Sequence, residues 1–515
     1  MELILKNKLK SSQDRIIDPS LYEKIRKTRE LIDRGETENL EEEGGIALNV
    51  FNYLEKKLEE DKKLKKYEID YSIPKNQFTD RKEKKNALVL LIQFNDKQHE
   101  TEPEYFKDFL FNESEKSLRN YYLQASYGKL DIDGDVSNWY AAKNDRKEYF
   151  DEERVNKHYP KAQELVKEAI LNAKTDNKFK DFSKYSKDGK IEILIVIYAR
   201  KGLDSKIKED NPQMEHIWPH FDTLKEPIHL QDGVKVDRYC IIPEFPEDAL
   251  GTFCHEVGHA LGLPDLYYEP RGPIIGSWCL MAAGSCNNNS KTPALPGAWC
   301  RMYMGWTEPE VIDGEPEKYE IPPITESNKI YKLEVKGSDG KEYFLVENRQ
   351  QKSYDKYLPA SGLLIWHIDE SFFNKYFPNS NPQHFFLTLE QSDGKRELED
   401  DWTDFRKRYE VSGETDENKI AKKNIMGDDG DAYPGEIEMR NRAFDDKSNP
   451  NSNSYLGEPS GVIIKSISDS KEIMSAIMGI KPVLETKTNT KYYLEGYKNG
   501  YGDGYKEFMK QILHI

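Results

Sequence analysis

The stretch FCHEVGHALGLPDLYYEP, residues 253–270, decides how the rest of the sequence is interpreted. Its two histidines, His255 and His259, stand one helical turn apart on the same face of a helix. A His-Glu-x-x-His match arises by chance in a chain of this composition with a probability of about 2%. The glycine and aspartate that follow, Gly262 and Asp265, lower that probability to on the order of one in ten thousand. The extended pattern therefore predicts a metal site.

Apolar residues at helical spacing predict that this motif lies on a helix with one buried stripe, formed by Leu250, Phe253, Cys254, Val257 and Leu261. The two histidines then lie on another face, where imidazoles on successive turns can bind one metal ion. Gly262 can adopt the left-handed conformation that ends a helix, and Pro264 prevents the helix from resuming. The chain is therefore expected to turn back and bring Asp265 toward the histidines.

A catalytic zinc site requires three protein ligands and an open position for water. We therefore predict that His255, His259 and Asp265 bind Zn²⁺. Glu256 points about 100° around the helix from His255, so it is expected to reach a water molecule and act as general base. Taken singly, these residues could be surface or core histidines and a solvated acid. Their joint occurrence favours the metal site.

The composition places the chain among globular proteins of several domains, because single cores rarely exceed about 250 to 300 residues and this chain has 515. A net charge of -17 and the lack of a basic stripe argue against a nucleic acid partner. No apolar run reaches the roughly 18 residues of a membrane helix, so no membrane partner is predicted. The N-terminal apolar run is too short for a visible signal peptide. The oligomeric state is not predicted.

The five cysteines all lie within residues 240–300. An odd number of clustered cysteines does not fit a disulfide-stapled secreted scaffold. We predict reduced, mostly buried thiols. A single disulfide between Cys279 and Cys286 is the alternative.

Changes in pattern along the chain predict an α+β protein of four parts. Residues 1–85 form a charged helical segment, either an inhibitory prosegment or a helical extension. In residues 86–312 strands alternate with helices, and KLDIDGDVSNWY (129–140) resembles a hairpin. Residues 313–480 are β-rich, as a separate domain or a layer on the first. Residues 481–515 form a helical tail with tyrosines and glycines four apart.

The sequence also resembles a known family. HEVGHALGLPD (255–265) matches the extended motif of metzincin-type zinc peptidases with aspartate as third ligand, and IGSWCLMAAGS (275–285) resembles the Met-turn segment of the immune inhibitor A family. Segments such as LVLLIQFND, SGLLIWHIDE and GDDGDAYPG follow in the family's order, over roughly residues 86–480. The resemblance implies a zincin-type catalytic domain with a mixed β-sheet and an active-site helix, followed by a sandwich-like β-rich domain. It also implies that Met281 packs under the zinc, and that the protein is extracellular.

One position departs from the related astacin-like pattern, because Ala283 stands where those proteins carry tyrosine. The group that assists the oxyanion is therefore open, with His367 and Glu347 as candidates or as buried structural residues. Acidic loops offer hard oxygen ligands for Ca²⁺ without full EF-hand spacing, and a turn-forming role is the alternative. The candidate calcium ligands are Asp393, Asp428, Asp429 and Asp431.

Together these patterns predict a zinc-dependent endopeptidase that acts on proteins or peptides. An adjacent edge strand is expected to hold the substrate extended, and the candidates are IEILIVIYA (191–199) and RYCIIPEF (238–245). One alternative is a catalytically inactive zinc-binding interaction module. Another is a metal hydrolase that acts on small esters or amides.

Overall fold

The computed structural model describes residues 83–113, 116–150, 159–200, 217–244, 249–267, 272–373, 378–379, 381, 384–400, 425–435 and 440–481. The predicted N-terminal segment and Tyr/Gly tail lie almost entirely outside these residues. All described residues fall within one compact unit, Tyr67–Pro482. None of the helices in these ranges is long and apolar enough to cross a membrane.

The described elements mix helices and strands, which confirms the α+β class. The helices are α1 (Pro103–Phe111), α2 (Leu118–Ala125), α3 (Pro160–Thr175), α4 (Leu250–Leu261) and α5 (Ala298–Tyr303). The strands of the first half are β1 (Glu83–Gln93), β2 (Leu130–Ala141), β3 (Ser186–Lys187), β4 (Lys190–Ile191), β5 (Ile193–Tyr198), β6 (His220–His229) and β7 (Lys235–Pro243). Those of the second half are β8 (Glu310–Val311), β9 (Glu317–Ile321), β10 (Tyr331–Glu334), β11 (Glu342–Arg349), β12 (Gly362–Asp369), β13 (Leu387–Leu389), β14 (Ala443–Phe444), β15 (Val462–Lys465) and β16 (Met474–Ile480).

The strands of the first half form a mixed sheet with α4 on one face. In the described ranges its order is β2-β1-β5-β7-β4-β3, and β6 pairs antiparallel with β7. Strand β1 is buried on both faces because it lies inside the sheet. Ala87, Val89 and Leu91 belong to the core that contains α4, whereas Leu88, Leu90 and Ile92 belong to the core around α3.

The strands of the second half form two further sheets, with orders β13-β12-β11-β10-β8 and β14-β15-β16-β9 in the described part of the chain. Alternating side chains of β11 and β12 face two different cores. Tyr343, Leu345, Leu364, Trp366 and Ile368 share the core that contains α4, while Phe344, Val346, Leu363 and Ile365 share a core with the other sheet. One continuous core thus crosses the predicted boundary at residue 312, and the boundary itself stays a prediction.

The structure corrects two predictions about local structure and decides between the two alternatives for the cysteines. The stretch 129–140 is not a hairpin, because β2 is one strand that pairs parallel with β1. Both proposed substrate strands lie inside the sheet: β5 is flanked by β1 and β7, and β7 by β5 and β6. Cys279 is free, and its Sγ lies 3.8 Å from Cys300 Sγ, whereas Cys286 is exposed. The thiols are reduced, and four of the five are buried.

Candidate metal centre

Helix α4 has the buried stripe that the sequence predicts and ends where expected. Gly262 adopts a left-handed φ of 112°, and its N–H bonds Gly258 O at 3.1 Å. The next N–H, from Leu263, also bonds Gly258 O, at 2.9 Å. This turn directs the irregular segment that follows back along the helix, toward its histidines.

The three predicted ligand side chains meet after this turn. The Nε2 atoms of His255 and His259 lie 3.2 Å apart. Asp265 Oδ1 lies 3.1 Å from the first and 3.2 Å from the second. Tetrahedral zinc with bonds of about 2.0–2.1 Å separates neighbouring donor atoms by about 3.3–3.4 Å, so the triangle is close to the size of a zinc site. Within the described residues, no other group of three metal-ligating side chains has its donor atoms within 4.8 Å of one another.

Backbone contacts fix the tautomers of both rings. His255 Nδ1 lies 3.0 Å from Leu280 O, and His259 Nδ1 lies 2.8 Å from Leu263 O. A carbonyl only accepts, so each Nδ1 of a neutral ring carries the proton and each Nε2 presents its lone pair. Asp265 Oδ1 is buried with no hydrogen-bond donor in the described part of the chain. Three acceptor atoms therefore face one another, an arrangement that fits a bound cation.

The electrostatics of this triangle favour added positive charge. Burial lowers the pKa of His255, but the Asp265 carboxylate outweighs burial and raises that pKa to about 10. Burial raises the pKa of Asp265, yet His259 and His255 hold it well below its usual range. Both shifts mean that the site stabilises a positive charge, and a divalent ion supplies more of it than a proton does.

Glu256 is buried beside the triangle and is not one of its three converging donors. Desolvation raises its pKa, although His255 and His259 oppose this shift. The backbone N–H of Phe221, in β6, makes a smaller contribution that lowers the Glu256 pKa. A carboxylate with a raised pKa exchanges protons closer to neutral pH, as a general base requires.

Met281 packs against helix α4 between the two histidine turns. A Cβ atom on Gly258 would lie 2.8 Å from Met281 Sδ, so the thioether occupies the space that glycine leaves. Met281 is fully buried, and its backbone O accepts a hydrogen bond of 2.8 Å from Leu266 N. Its Met-turn role stays a prediction, which this packing supports.

Sequence reasoning missed three aromatic residues at this centre. The Phe221 ring stacks on His259, with 6.2 Å between ring centroids, and the Tyr267 ring lies nearly parallel to His255 at 6.4 Å. Tyr122 Oη donates to Cys254 O in α4 at 2.6 Å. Tyr267 stands two positions after Asp265, so proximity along the chain could have indicated it. Phe221 and Tyr122 come from distant elements, and no spacing rule connects them to the motif.

Both candidates for assisting the oxyanion, Glu347 and His367, form hydrogen bonds with side chains outside the candidate metal centre. Glu347 is fully buried, accepts hydrogen bonds from Arg301 and Arg349, and also accepts one from Trp366 Nε1 at 2.9 Å. The ring of His367 is held by two glutamates, with Nδ1 3.0 Å from Glu390 and Nε2 2.9 Å from Glu342. These contacts favour the buried structural role for both residues.

The predicted calcium ligands lie on two adjoining loops. Asp393 N bonds Gly430 O at 3.0 Å, and a Cβ on Gly430 would lie 2.5 Å from Asp393 Oδ2 and 3.0 Å from Asp428 Oδ1. Asp431 Oδ2 accepts from Trp278 Nε1 at 2.8 Å. Asp429 lies in the same turn. Since these aspartates do not form a set of three converging donors among the described residues, calcium binding stays a prediction.

Comparisons with known proteins agree with the chemistry of this centre. Residues 74–305 match the model of the immune inhibitor A peptidase M6 catalytic domain. The chain is 28% identical over 258 residues to immune inhibitor A of Bacillus thuringiensis subsp. alesti, covering 39% of this chain and 36% of the relative. It is 26% identical over 274 residues to the pre-pro-metalloprotease PrtV of Vibrio cholerae serotype O1 (strain M66-2), covering 42% of this chain and 29% of the relative. The matched segments thus span about a third of the length of these relatives. Residues 74–305 are therefore similar to the catalytic domain of the immune inhibitor A peptidase family.

Proposed function

We propose that the chain is a zinc-dependent endopeptidase in which His255, His259 and Asp265 hold the metal. The observation that carries the proposal is the triangle of three donor atoms 3.1–3.2 Å apart. The similarity to a protein named metalloprotease supports peptide bonds as the substrate class. The match of residues 74–305 to a peptidase catalytic domain also supports this activity.

Zinc, when bound, supplies a Lewis acid that activates water and polarises a carbonyl. The chain's own part in proton transfer falls to Glu256, which accepts a proton from the attacking water at its carboxylate and returns it to the leaving amine. The backbone N–H of Phe221 partly opposes the rise of this carboxylate's pKa. Burial of Glu256 favours the proton-accepting step, because desolvation destabilises its charged form.

We assign substrate binding to β6 in place of the two interior strands. In the described ranges β6 pairs with β7 alone, so its other edge has no strand partner there, and we expect that edge to pair with an extended peptide. Phe221 lies in this strand, its ring stacks on His259, and its backbone N–H affects the pKa of Glu256. A peptide on the open edge of β6 would therefore run beside the metal centre.

We further propose the metzincin-type arrangement with Met281 as the Met-turn methionine, and a sandwich-like β-rich half. The packing of Met281 against Gly258 supports the first. The core shared by the two sheets of the second half supports the second.

Replacement of Glu256 by glutamine tests the function. The variant keeps the side-chain shape and all three ligands, so we expect one zinc per chain to be retained. Cleavage of a quenched fluorescent peptide should fall by about 10²- to 10⁴-fold, the usual contribution of a general base. Metal analysis and kcat, measured with and without a zinc chelator, check both expectations.

Glu244→Gln is the matched control. Glu244 is another buried carboxylate, and it accepts backbone hydrogen bonds from Glu100 N at 2.8 Å and Arg200 N at 3.3 Å. We expect this variant to keep its activity. Wild-type protein that binds zinc without chelator-sensitive peptide cleavage would instead support the inactive binding module, and activity on small esters alone would support the other hydrolase.

A further inference from the structure

The segment that carries Asp265 has no regular secondary structure of its own. His255 and His259 are held by the hydrogen bonds of α4, whereas residues 263–266 follow the helix as irregular chain. The position of Asp265 therefore depends on tertiary contacts of its neighbours. Those contacts determine how well the third donor atom is placed.

The residue after Asp265 is held at both of its backbone polar groups. Leu266 N donates to Met281 O at 2.8 Å. Leu266 O accepts a hydrogen bond of 2.9 Å from Asn379 Nδ2. Leu266 is also buried, so neither group has water as an alternative partner. The first contact comes from the Met-turn segment, and the second comes from the β-rich half.

The Asn379 amide is itself fixed by β13. It is fully buried, its Nδ2 donates to Leu387 O at 2.9 Å, and its Oδ1 accepts from Leu387 N at 2.9 Å. Both amide hydrogens point at carbonyl oxygens and the amide oxygen points at an N–H, so the orientation of the amide has one solution. Leu387 pairs with Ile368 of β12. A rigid sheet thus reaches the metal-ligand segment through one side chain.

We propose that Asn379 is a positioning residue for Asp265, supplied by the β-rich half beyond the matched region 74–305. This inference rests on the proposed zinc site. Groups that orient a metal ligand typically change metal affinity by about 10- to 100-fold when removed. The zinc site is then completed by a part of the chain that the catalytic-domain match does not include.

Asn379→Ala in the full chain tests the proposal, with Asn348→Ala as the matched control. Asn348 is also fully buried, donates to Ile321 O and Glu472 O at 2.8 Å each, and accepts from Gln350 Nε2 at 2.7 Å. Both variants should lose comparable stability in urea unfolding with a chelator present. We expect zinc affinity, measured by competition with a chromophoric chelator, to fall about 10- to 100-fold in Asn379→Ala alone.

Two further readouts separate positioning from general damage. The absorption bands of the cobalt(II)-substituted protein report coordination geometry and should change in Asn379→Ala but not in Asn348→Ala. Excess zinc should restore peptide cleavage in Asn379→Ala, because the lost contact affects metal retention. Equal zinc affinity in wild type and Asn379→Ala, or equal losses in the two variants, would overturn the proposal.

If Asn379→Ala does not fold, Asn379→Ser gives the same test. Its hydroxyl can still pair with Leu387 but is too short to reach Leu266 as well, so zinc affinity should still fall. A wild-type protein that binds no zinc would refute the proposed function itself. Zinc binding that is tight in the wild type and unchanged in Asn379→Ser would refute the positioning role alone.

Discussion

Two clusters of buried ionisable side chains differ in how their charges balance. The arginine cluster, which consists of Arg301, Glu347, Arg349 and Asp355, has two positive and two negative groups, all fully buried. The candidate metal centre combines the carboxylates of Glu256 and Asp265 with two imidazoles. With neutral imidazoles, its side chains sum to a charge of about -2.

The hydrogen bonds and ion pairs of the two clusters reflect this difference in charge balance. In the arginine cluster, Arg349 donates to Asp355 through Nε at 2.7 Å and Nη2 at 2.6 Å, and Arg301 pairs with Glu347. Burial lowers the pKa of Arg349, but Asp355 and Glu347 raise it above its ordinary value. In the metal centre, Asp265 faces two imidazole Nε2 atoms. Burial alone therefore does not distinguish a structural cluster from a binding site, whereas an uncompensated charge does.

The largest expected effect is on stability and concerns the arginine cluster. Arg349→Met leaves Glu347 and Asp355 buried without their shared cation, which typically costs about 3–5 kcal/mol of unfolding free energy. The loss should be the same with zinc and with a chelator, measured by urea unfolding. Arg440, which pairs with Asp469 at the surface, is the control, and Arg440→Met should have a far smaller effect.

The candidate metal centre should differ, because its substitutions change zinc affinity as well as stability. Asp265→Ala removes a ligand, so zinc affinity should fall by more than about 100-fold, beyond the usual loss of a ligand's supporting group. With a chelator present at neutral pH, its unfolding free energy should also fall, because the Asp265 carboxylate stabilises the proton on His255 and has a pKa below its usual range. Chelator competition and urea unfolding give the two numbers. Unaltered zinc affinity would refute the ligand role of Asp265.

How far the sequence predicts this centre depends on where each residue comes from. His255, His259 and Asp265 lie within one helix and its terminating turn, so helical geometry and the glycine conformation are enough to bring them together. Asn379 lies more than a hundred residues away, and its contact with Leu266 depends on the packing of β13. Local periodicity contains no information on that packing.

The same limit explains the errors in the sheets. The alternation in 129–140 is a property of any half-buried strand, so it cannot distinguish a hairpin from the parallel β2. Apolar runs in 191–199 and 238–245 indicate burial on both faces, which is typical of interior strands. The edge strand β6 is more polar and alternates in burial, and this signal could have identified it.

The pH dependence gives a smaller effect at the candidate metal centre. With a chelator, the pKa of His255 is about 10 in the folded protein, against about 6.5 when unfolded. Its stabilisation is complete below about pH 6.5 and is lost as pH rises through about 10. Wild-type unfolding free energy should therefore fall between pH 7 and 9.5 relative to Asp265→Asn, by more than about 1.4 kcal/mol.

Zinc should reverse this trend, because it displaces the proton from the triangle and binds more tightly as pH rises. Asp265→Asn is the control, since it keeps His255 but removes the carboxylate that raises its pKa. Parallel pH profiles for wild type and Asp265→Asn in chelator would contradict the coupling between His255 and Asp265.

The smallest expected effect concerns calcium at Asp393, Asp428 and Asp431. Burial, with Asp428 and Asp393 nearby, raises the pKa of Asp431 to about 8, while Lys395 pairs with Asp393 at 2.7 Å. Lys395 thus balances part of the negative charge of these aspartates, so their charge balance is intermediate between that of the arginine cluster and that of the candidate metal centre. Calcium has to displace the Asp431 proton, so its stabilisation should be larger at pH 9 than at pH 7. At a calcium concentration equal to Kd the gain is about 0.4 kcal/mol, measured by calorimetry against magnesium and against Asp431→Asn. A thermal transition that does not depend on calcium at either pH would remove the calcium assignment and leave a turn held by the Trp278 indole.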